Sequence, residues 1–137
     1  SVKIPKAING REDKLLLMNE NTCLVGTYQN EWFKADSKSF GVFSVSYDTV
    51  APTIVLPTSK KKTSASSVSK TYVRFTIADN LSGIADYHVY VNDVWQIAEY
   101  DAKSKTVTCY FTEVNPKNLK IEVIDRVGNK AVFSKEL

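Results

Sequence analysis

Histidine is almost absent from this sequence of 137 residues, which contains a single one, His88. A catalytic zinc ion normally takes three protein ligands, most often histidines, so one histidine does not supply such a site. His88 is in phase with Asp86 and Tyr90 and out of phase with the apolar residues around it, which predicts a solvent-facing side chain. The sequence also lacks a Gly-x-Ser-x-Gly nucleophile elbow, and no pair of carboxylates stands out. We therefore expect no catalytic site in this chain.

Cysteine is also scarce, with only Cys23 and Cys109 present. Cys109 is in phase with Val107 and Phe111, which is typical of a buried structural cysteine. The two cysteines lie on opposite sides of residue 50, and a bridge between them would require Cα atoms within about 7 Å. We expect two free thiols.

Long hydrophobic runs are missing as well. No apolar run approaches the roughly 20 residues of a membrane-spanning helix, and no signal peptide opens the sequence. We therefore expect a chain that does not span a membrane. The abrupt start at Ser1-Val2-Lys3 indicates a mature or excised piece of a longer protein.

The charge excess is small and local. Residues 1–50 carry six basic and six acidic residues, so the net charge of +3 arises after residue 50, partly from Lys60-Lys61-Lys62. A nucleic-acid surface would need basic residues spread along a face with aromatic residues among them, which excludes this class of partner. We expect the lysine run to be solvated rather than bound to an anionic envelope polymer.

The sequence does contain short β-patterned segments on both sides of a joint, Asp48-Thr49-Val50-Ala51-Pro52. Proline fixes its own φ and pushes the preceding residue to extended geometry, so Ala51-Pro52 predicts a stiff connection. Residues 1–50, the N-terminal β unit, predict a small antiparallel unit or the back half of a larger sandwich. Such a unit buries little apolar surface, so we expect it to lean on its neighbour. Its predicted strands cover residues 2–4, 14–18, 22–28, 32–35 and 40–47.

Residues 51–137, the C-terminal β unit, predict seven strands separated by turn residues, which is typical of an immunoglobulin-like Greek-key sandwich. A loop rich in serine, threonine and lysine covers residues 58–69, and no helix of useful length is predicted. The predicted strands cover residues 53–56, 71–78, 84–91, 94–100, 106–111, 119–124 and 130–137. The predicted core consists of Val73, Phe75, Ile77, Tyr87, Val89, Cys109, Leu119, Ile121 and Val123.

The turn sequences of the C-terminal β unit resemble those of bacterial immunoglobulin-like domains in envelope and secreted proteins. The motifs are Asp79-Asn80-Leu81-Ser82-Gly83-Ile84, Asp125-Arg126-Val127-Gly128-Asn129 and the joint itself. With residues 95–101 and Phe40-Gly41-Val42-Phe43, the whole chain is similar to the C-terminal β-rich extension of many Bacteroidetes M23 (LytM-type) metallopeptidases. The zinc site of that family needs two or three histidines and an aspartate. This chain departs from the pattern, because it contains only His88. The resemblance implies a secreted or periplasmic, envelope-associated location and covalent attachment to a hydrolase, not hydrolysis by these residues.

Three large aromatic residues, Trp32, Trp95 and Tyr100, allow a second functional hypothesis, a carbohydrate- or peptidoglycan-binding module. Exposed rings on a sheet face can stack on sugars. Large aromatics at alternating strand positions more often fill a core or pair across strands, and we favour that interpretation.

A polar cluster is predicted at the joint. In an immunoglobulin-like sandwich the start of the first strand and two of the loops share one end, which would gather Asp48, Asp79, Asn80, Ser82, Asp125, Arg126 and Asn129. Oxygen ligands at this point suit calcium. However, Arg126 can pair with Asp79 or Asp125, and aspartate and asparagine ordinarily cap such turns. The sequence therefore favours a metal-free polar interface without cofactors, with a calcium site as the alternative. For the whole chain we expect a non-catalytic spacer or docking module.

Overall fold

The computed structural model describes residues 1–4, 10–57 and 71–137. Over these residues the chain forms fourteen β-strands and one three-residue 3-10 helix, Glu12–Lys14. The prediction of an all-β fold is confirmed. Within the same residues, no helix has the length and apolar character needed to cross a membrane. The predicted loop at residues 58–69, with Lys60, Lys61 and Lys62, lies outside the described residues. The sequence Asn9-Gly10 also predicts a turn, of which Asn9 lies outside the described residues.

The N-terminal β unit contains two three-stranded antiparallel sheets, with strand orders β1-β5-β4 and β3-β2-β6. The strands are β1 (Val2–Lys3), β2 (Leu15–Asn19), β3 (Thr22–Val25), β4 (Thr27–Gln29), β5 (Trp32–Lys34) and β6 (Ser44–Tyr47). Their shared core contains Ile4, Leu15, Leu17 and Phe33. Leu16 points to the opposite face of β2 and is also fully buried, so this strand is covered on both faces.

The C-terminal β unit contains two four-stranded sheets, with strand orders β11-β12-β8-β7 and β10-β9-β13-β14. Its strands are β7 (Thr53–Val55), β8 (Tyr72–Ala78), β9 (Ile84–Val91), β10 (Val94–Gln96), β11 (Glu99–Asp101), β12 (Thr106–Tyr110), β13 (Asn118–Asp125) and β14 (Lys130–Glu136). The core between the sheets consists of Val73, Phe75, Ile77, Val89, Val91, Val107, Cys109, Leu119, Ile121 and Val123, with Tyr87 partly buried beside them. Every predicted core residue therefore lies in or against this core.

Two tight hairpin turns use residues that tolerate positive φ. The sequence Asn92-Asp93 predicts one of them, and these residues have φ of 50° and 63° between β9 and β10. The sequence Gln29-Asn30 predicts the other, but the turn between β4 and β5 is formed one residue later, by Asn30 and Glu31, with φ of 52° and 65°.

Three predicted strands are wrong in extent. Residues 94–100 form two strands in different sheets, because the Gln96 side chain is buried at the end of β10 and accepts hydrogen bonds from Thr112. The chain then crosses to the other sheet. Residues 22–28 are interrupted at Gly26, whose backbone approaches the Lys34 carbonyl so closely that a side chain would overlap it.

Residues 40–47 form a strand only over Ser44–Tyr47. Gly41 has a φ of 150°, which breaks the extended run before it can pair with β2. Phe40 and Val42, which the prediction placed in this strand, are therefore fully and almost fully exposed.

Candidate functional site

Three aspartates converge where the joint meets the C-terminal β unit. Asp48 follows β6, Asp79 follows β8 and Asp125 ends β13. Asp79 and Asp125 continue the inward-facing alternation of their strands, so the two sheets present them at the same end of the core. Each of the three residues offers a carboxylate oxygen, and these oxygens lie within 4.8 Å of one another. Asp48 and Asp125 are each only 1% exposed.

The carboxylate of Asp48 joins the two β units. Its Oδ2 accepts a hydrogen bond from the backbone amide of Ser82 at 2.9 Å, and Ser82 is itself buried. Its Oδ1 accepts from the amide of Val50 at 3.2 Å, which closes a local turn within the joint. A single buried side chain thus fixes both the turn of the joint and its contact with the β8–β9 loop.

Asp125 and Asn129 organise the β13–β14 turn. Asp125 Oδ1 accepts from the amides of Val127 at 3.0 Å and Asn129 at 2.8 Å. The Asn129 side-chain amide Nδ2 donates to Asp125 Oδ2 at 2.7 Å and to the carbonyl of Asp48 at 2.9 Å. Gly128 provides the positive φ, 82°, that this turn requires. The turn therefore also binds the joint.

Asp79 has one satisfied and one unsatisfied oxygen. Oδ2 accepts from the amides of Leu81 at 3.1 Å and Gly83 at 2.7 Å, within its own loop. Oδ1 is buried and has no hydrogen-bond partner in the described part of the chain. Buried carboxylate oxygens are normally hydrogen-bonded, so this atom requires an explanation.

Arg126 does not form the direct ion pair with the aspartates that the sequence suggested. Among the described residues, no ion pair within 4.0 Å joins Arg126 to Asp48, Asp79 or Asp125. Its backbone amide donates to the Gly83 carbonyl at 2.9 Å, and its side chain runs beside Gly83. The three carboxylates therefore lie within 4.8 Å of one another without a direct ion-pair partner among the described residues.

Two further residues at this site were not predicted. Lys14 donates from Nζ to the carbonyl of Val127 at 2.7 Å, which links the start of β2 to the β13–β14 turn. Cys23 lies close enough for its thiol to sense the cluster: burial and then the charge of Asp48 raise its pKa, whereas Arg126 lowers it. Neither residue is recognisable from the sequence, because each belongs to the other β unit and carries no local motif.

The remaining predicted residues are not part of this arrangement. Asn80 is exposed in the β8–β9 loop. His88 is partly exposed, and its Nε2 lies 3.3 Å from Asp86 Oδ2 on the outer face of β9.

The three aromatic residues do not share a surface. Trp32, Trp95 and Tyr100 belong to three different sheets and are 44%, 55% and 39% exposed. The two tryptophans therefore do not fill a core, which was one half of the expectation. The other half was a cross-strand pair, and Trp95 lies opposite Tyr90 in the register of β10 and β9. Tyr100 packs against Tyr87, with ring centroids 5.9 Å apart, at the rim of the C-terminal core.

No protein-family model, curated protein sequence or solved structure matches this chain.

Proposed function

We propose that the chain is a non-catalytic spacer or docking module of a secreted or envelope-bound protein, and that residues 51–137 form an immunoglobulin-like Greek-key sandwich. The strand orders support this fold. One sheet matches the ABED sheet of such sandwiches when strands A, B, E and D are assigned to β7, β8, β12 and β11. The other sheet matches C′CFG when strands C′, C, F and G are assigned to β10, β9, β13 and β14.

The contact between the two β units is the observation that carries the functional proposal. Buried Asp48 accepts from Ser82 through its side chain and from Asn129 through its carbonyl, and Lys14 reaches Val127. Both connections start from the same end of the β2–β6 pair, because the Asp48 amide donates to the Lys14 carbonyl at 3.0 Å. A module whose two parts are fixed at a set angle is suited to hold a neighbouring domain in a defined position.

The resemblance to the extensions of M23 (LytM-type) peptidases suggests what this neighbour is. In this proposal the attached domain is a cell-wall peptidase, and the module positions it on its substrate outside the cytoplasm. The module itself takes no part in the chemistry.

The relative orientation of the two β units tests the spacer role. Residual dipolar couplings of the isotope-labelled chain should fit one alignment tensor for both units. Replacing Lys14 with methionine together with Asn129→Ala should require two tensors, whereas Lys38→Met, which alters an exposed lysine, should leave one. Two independent tensors in the unmodified chain would overturn the spacer role. So would release of soluble fragments when the chain alone is incubated with purified cell wall.

Exposure of Trp32 and Trp95 favours a second candidate function, carbohydrate binding. Calorimetric titration with peptidoglycan fragments and glycans separates the two candidates. The spacer proposal expects no saturable heat, whereas a binding module expects saturable heat that is lost in Trp32→Ala or Trp95→Ala.

A further inference from the structure

We propose that Asp48, Asp79 and Asp125 bind one calcium ion at the joint between the two β units. This inference does not depend on the spacer role, because cation binding is measured on the chain alone. It rests on the unsatisfied oxygen of Asp79 and on the lack of a direct ion-pair partner for the three carboxylates among the described residues. It also rests on the spacing of the ligand atoms.

The unsatisfied oxygen points to a ligand. Turn capping explains Asp79 Oδ2, both oxygens of Asp48 and both oxygens of Asp125, since all of them accept hydrogen bonds from nearby donors. It does not explain Asp79 Oδ1, which is shielded from solvent and receives no donor in the described residues. Coordination of a cation would satisfy this oxygen, and Asp79 belongs to one cluster with the almost completely buried Asp48 and Asp125.

The charge balance points the same way. Buried charges are ordinarily paired or coordinate a metal ion. The sequence offered Arg126 as the pairing cation, but its guanidinium forms no ion pair with the three aspartates, and Lys14 is engaged by Val127 and Asp13. A divalent cation would therefore be the direct partner of the three carboxylates that neither side chain provides.

The identity of the cation follows from the ligand type and spacing. The three side chains offer only oxygen, which calcium and magnesium prefer. Two ligands of one calcium ion lie at most about 4.6–5.2 Å apart, and two ligands of one magnesium ion at most about 4.2 Å apart. Ligand oxygens that span up to 4.8 Å therefore fit calcium as they stand, whereas magnesium would require the site to contract. Water molecules would complete the six to eight ligands of calcium.

The three ligands come from the joint and from two loops of the C-terminal β unit, so a bound ion would strengthen the connection between the units. Calcium would then determine how firmly the N-terminal unit is held.

Calorimetric titration of the metal-free chain with calcium chloride tests the site. We expect one ion per chain with a dissociation constant below about 1 mM, within the range of extracellular calcium modules. Asp79→Asn keeps an oxygen that can cap the loop but removes one charge, and should weaken binding at least tenfold. Asp93→Asn, an equal charge change in the exposed β9–β10 turn, should not alter it. The proposal is overturned if the folded chain shows no saturable binding up to 10-fold above that concentration, or if Asp79→Asn binds as tightly as the unmodified chain.

Cys23 provides a second readout that needs no substitution in the cluster. Burial raises the pKa of its thiol, and the charges of Asp48 and Asp79 raise it further, so a cation bound to these two carboxylates should lower the pKa. The pH midpoint of Cys23 alkylation by iodoacetamide should therefore decrease on adding calcium, with saturation at one equivalent bound. Cys109 is fully buried, so the alkylation of the folded chain should come from Cys23. The variant Cys23→Ser checks this assignment, because it should lose the alkylation. An unchanged midpoint in calcium would argue against the site even if Asp79→Asn failed to fold.

Discussion

Lys14 donates a hydrogen bond from Nζ to the main-chain carbonyl of Val127, a residue 113 positions further along the chain, at 2.7 Å. The bond connects the two β units next to the carboxylate cluster, and the Lys14 side chain is only 21% exposed. A hydrogen bond from a charged group contributes about 1.5–3 kcal/mol.

Replacing Lys14 with methionine should therefore lower the free energy of unfolding by about 1.5–3 kcal/mol, because the carbonyl of Val127 loses its charged donor. Urea denaturation followed by circular dichroism measures this change. Lys38→Met, at an exposed position, should change stability by less than about 0.5 kcal/mol. Equal effects of the two substitutions would show that the Lys14 bond contributes nothing.

Gly26 and Gly10 should respond differently to substitution by alanine. A Cβ at Gly26 would overlap the Lys34 carbonyl oxygen, so Gly26→Ala must displace the β4–β5 pairing and should cost at least about 2 kcal/mol. Gly10 has a φ of 71°, and no atom of the described residues lies within 4 Å of the position that a Cβ would take, so Gly10→Ala should cost about 1 kcal/mol from backbone strain. Thermal melting ranks the two variants, and the reverse order would contradict the close approach at Gly26.

Two valines on neighbouring strands offer a matched test of the C-terminal core. Val123 on β13 is completely buried, whereas Val132 on β14 is 55% exposed. Val123→Ala removes two buried methyl groups and should cost about 2–3 kcal/mol, including the cavity that remains. Val132→Ala should stay within about 0.5 kcal/mol. Chemical denaturation measures both losses of unfolding free energy. Similar losses for the two variants would contradict the position of Val123 in the core.

Alkaline pH should destabilise the chain through Cys109. Burial raises the pKa of this thiol from its ordinary value of 9.0 to about 11. The unfolded state therefore loses its proton at a lower pH than the folded state does. The stabilising contribution is complete below pH 9 and is lost as pH rises to about 11, by about 2–3 kcal/mol.

Lysine and tyrosine residues titrate over the same range, so the measurement compares slopes. The free energy of unfolding of Cys109→Ala should fall less steeply between pH 9 and 11 than that of the unmodified chain. Identical slopes would show that the thiol is not protected by the core.

Strand alternation allowed much of the C-terminal β unit to be predicted, because one buried face leaves a clear period of two in Val73, Phe75 and Ile77. The cluster was recognisable from sequence because the start of the first strand and two of the loops share one end of the predicted sandwich. The break at residues 97–98 was not, since it depends on the Gln96 side chain meeting Thr112 in three dimensions. The direction of the Arg126 side chain likewise depends on contacts in the folded chain. The sequence placed Arg126 near Asp79 and Asp125 but did not show that its side chain would run beside Gly83.

The long separation between partners at the joint has a kinetic consequence. Asn129 meets Asp48 across 81 residues, and such a contact closes a large loop, whose entropic cost must be met before the contact contributes. The local hairpins, such as the one closed by Asn92 and Asp93, have no such delay. We therefore infer that the joint forms after the folding transition state, when each β unit is already condensed. Interactions formed that late act chiefly on the unfolding rate and leave the folding rate nearly unchanged. The contacts at the joint therefore determine the lifetime of the folded chain rather than the rate at which it folds.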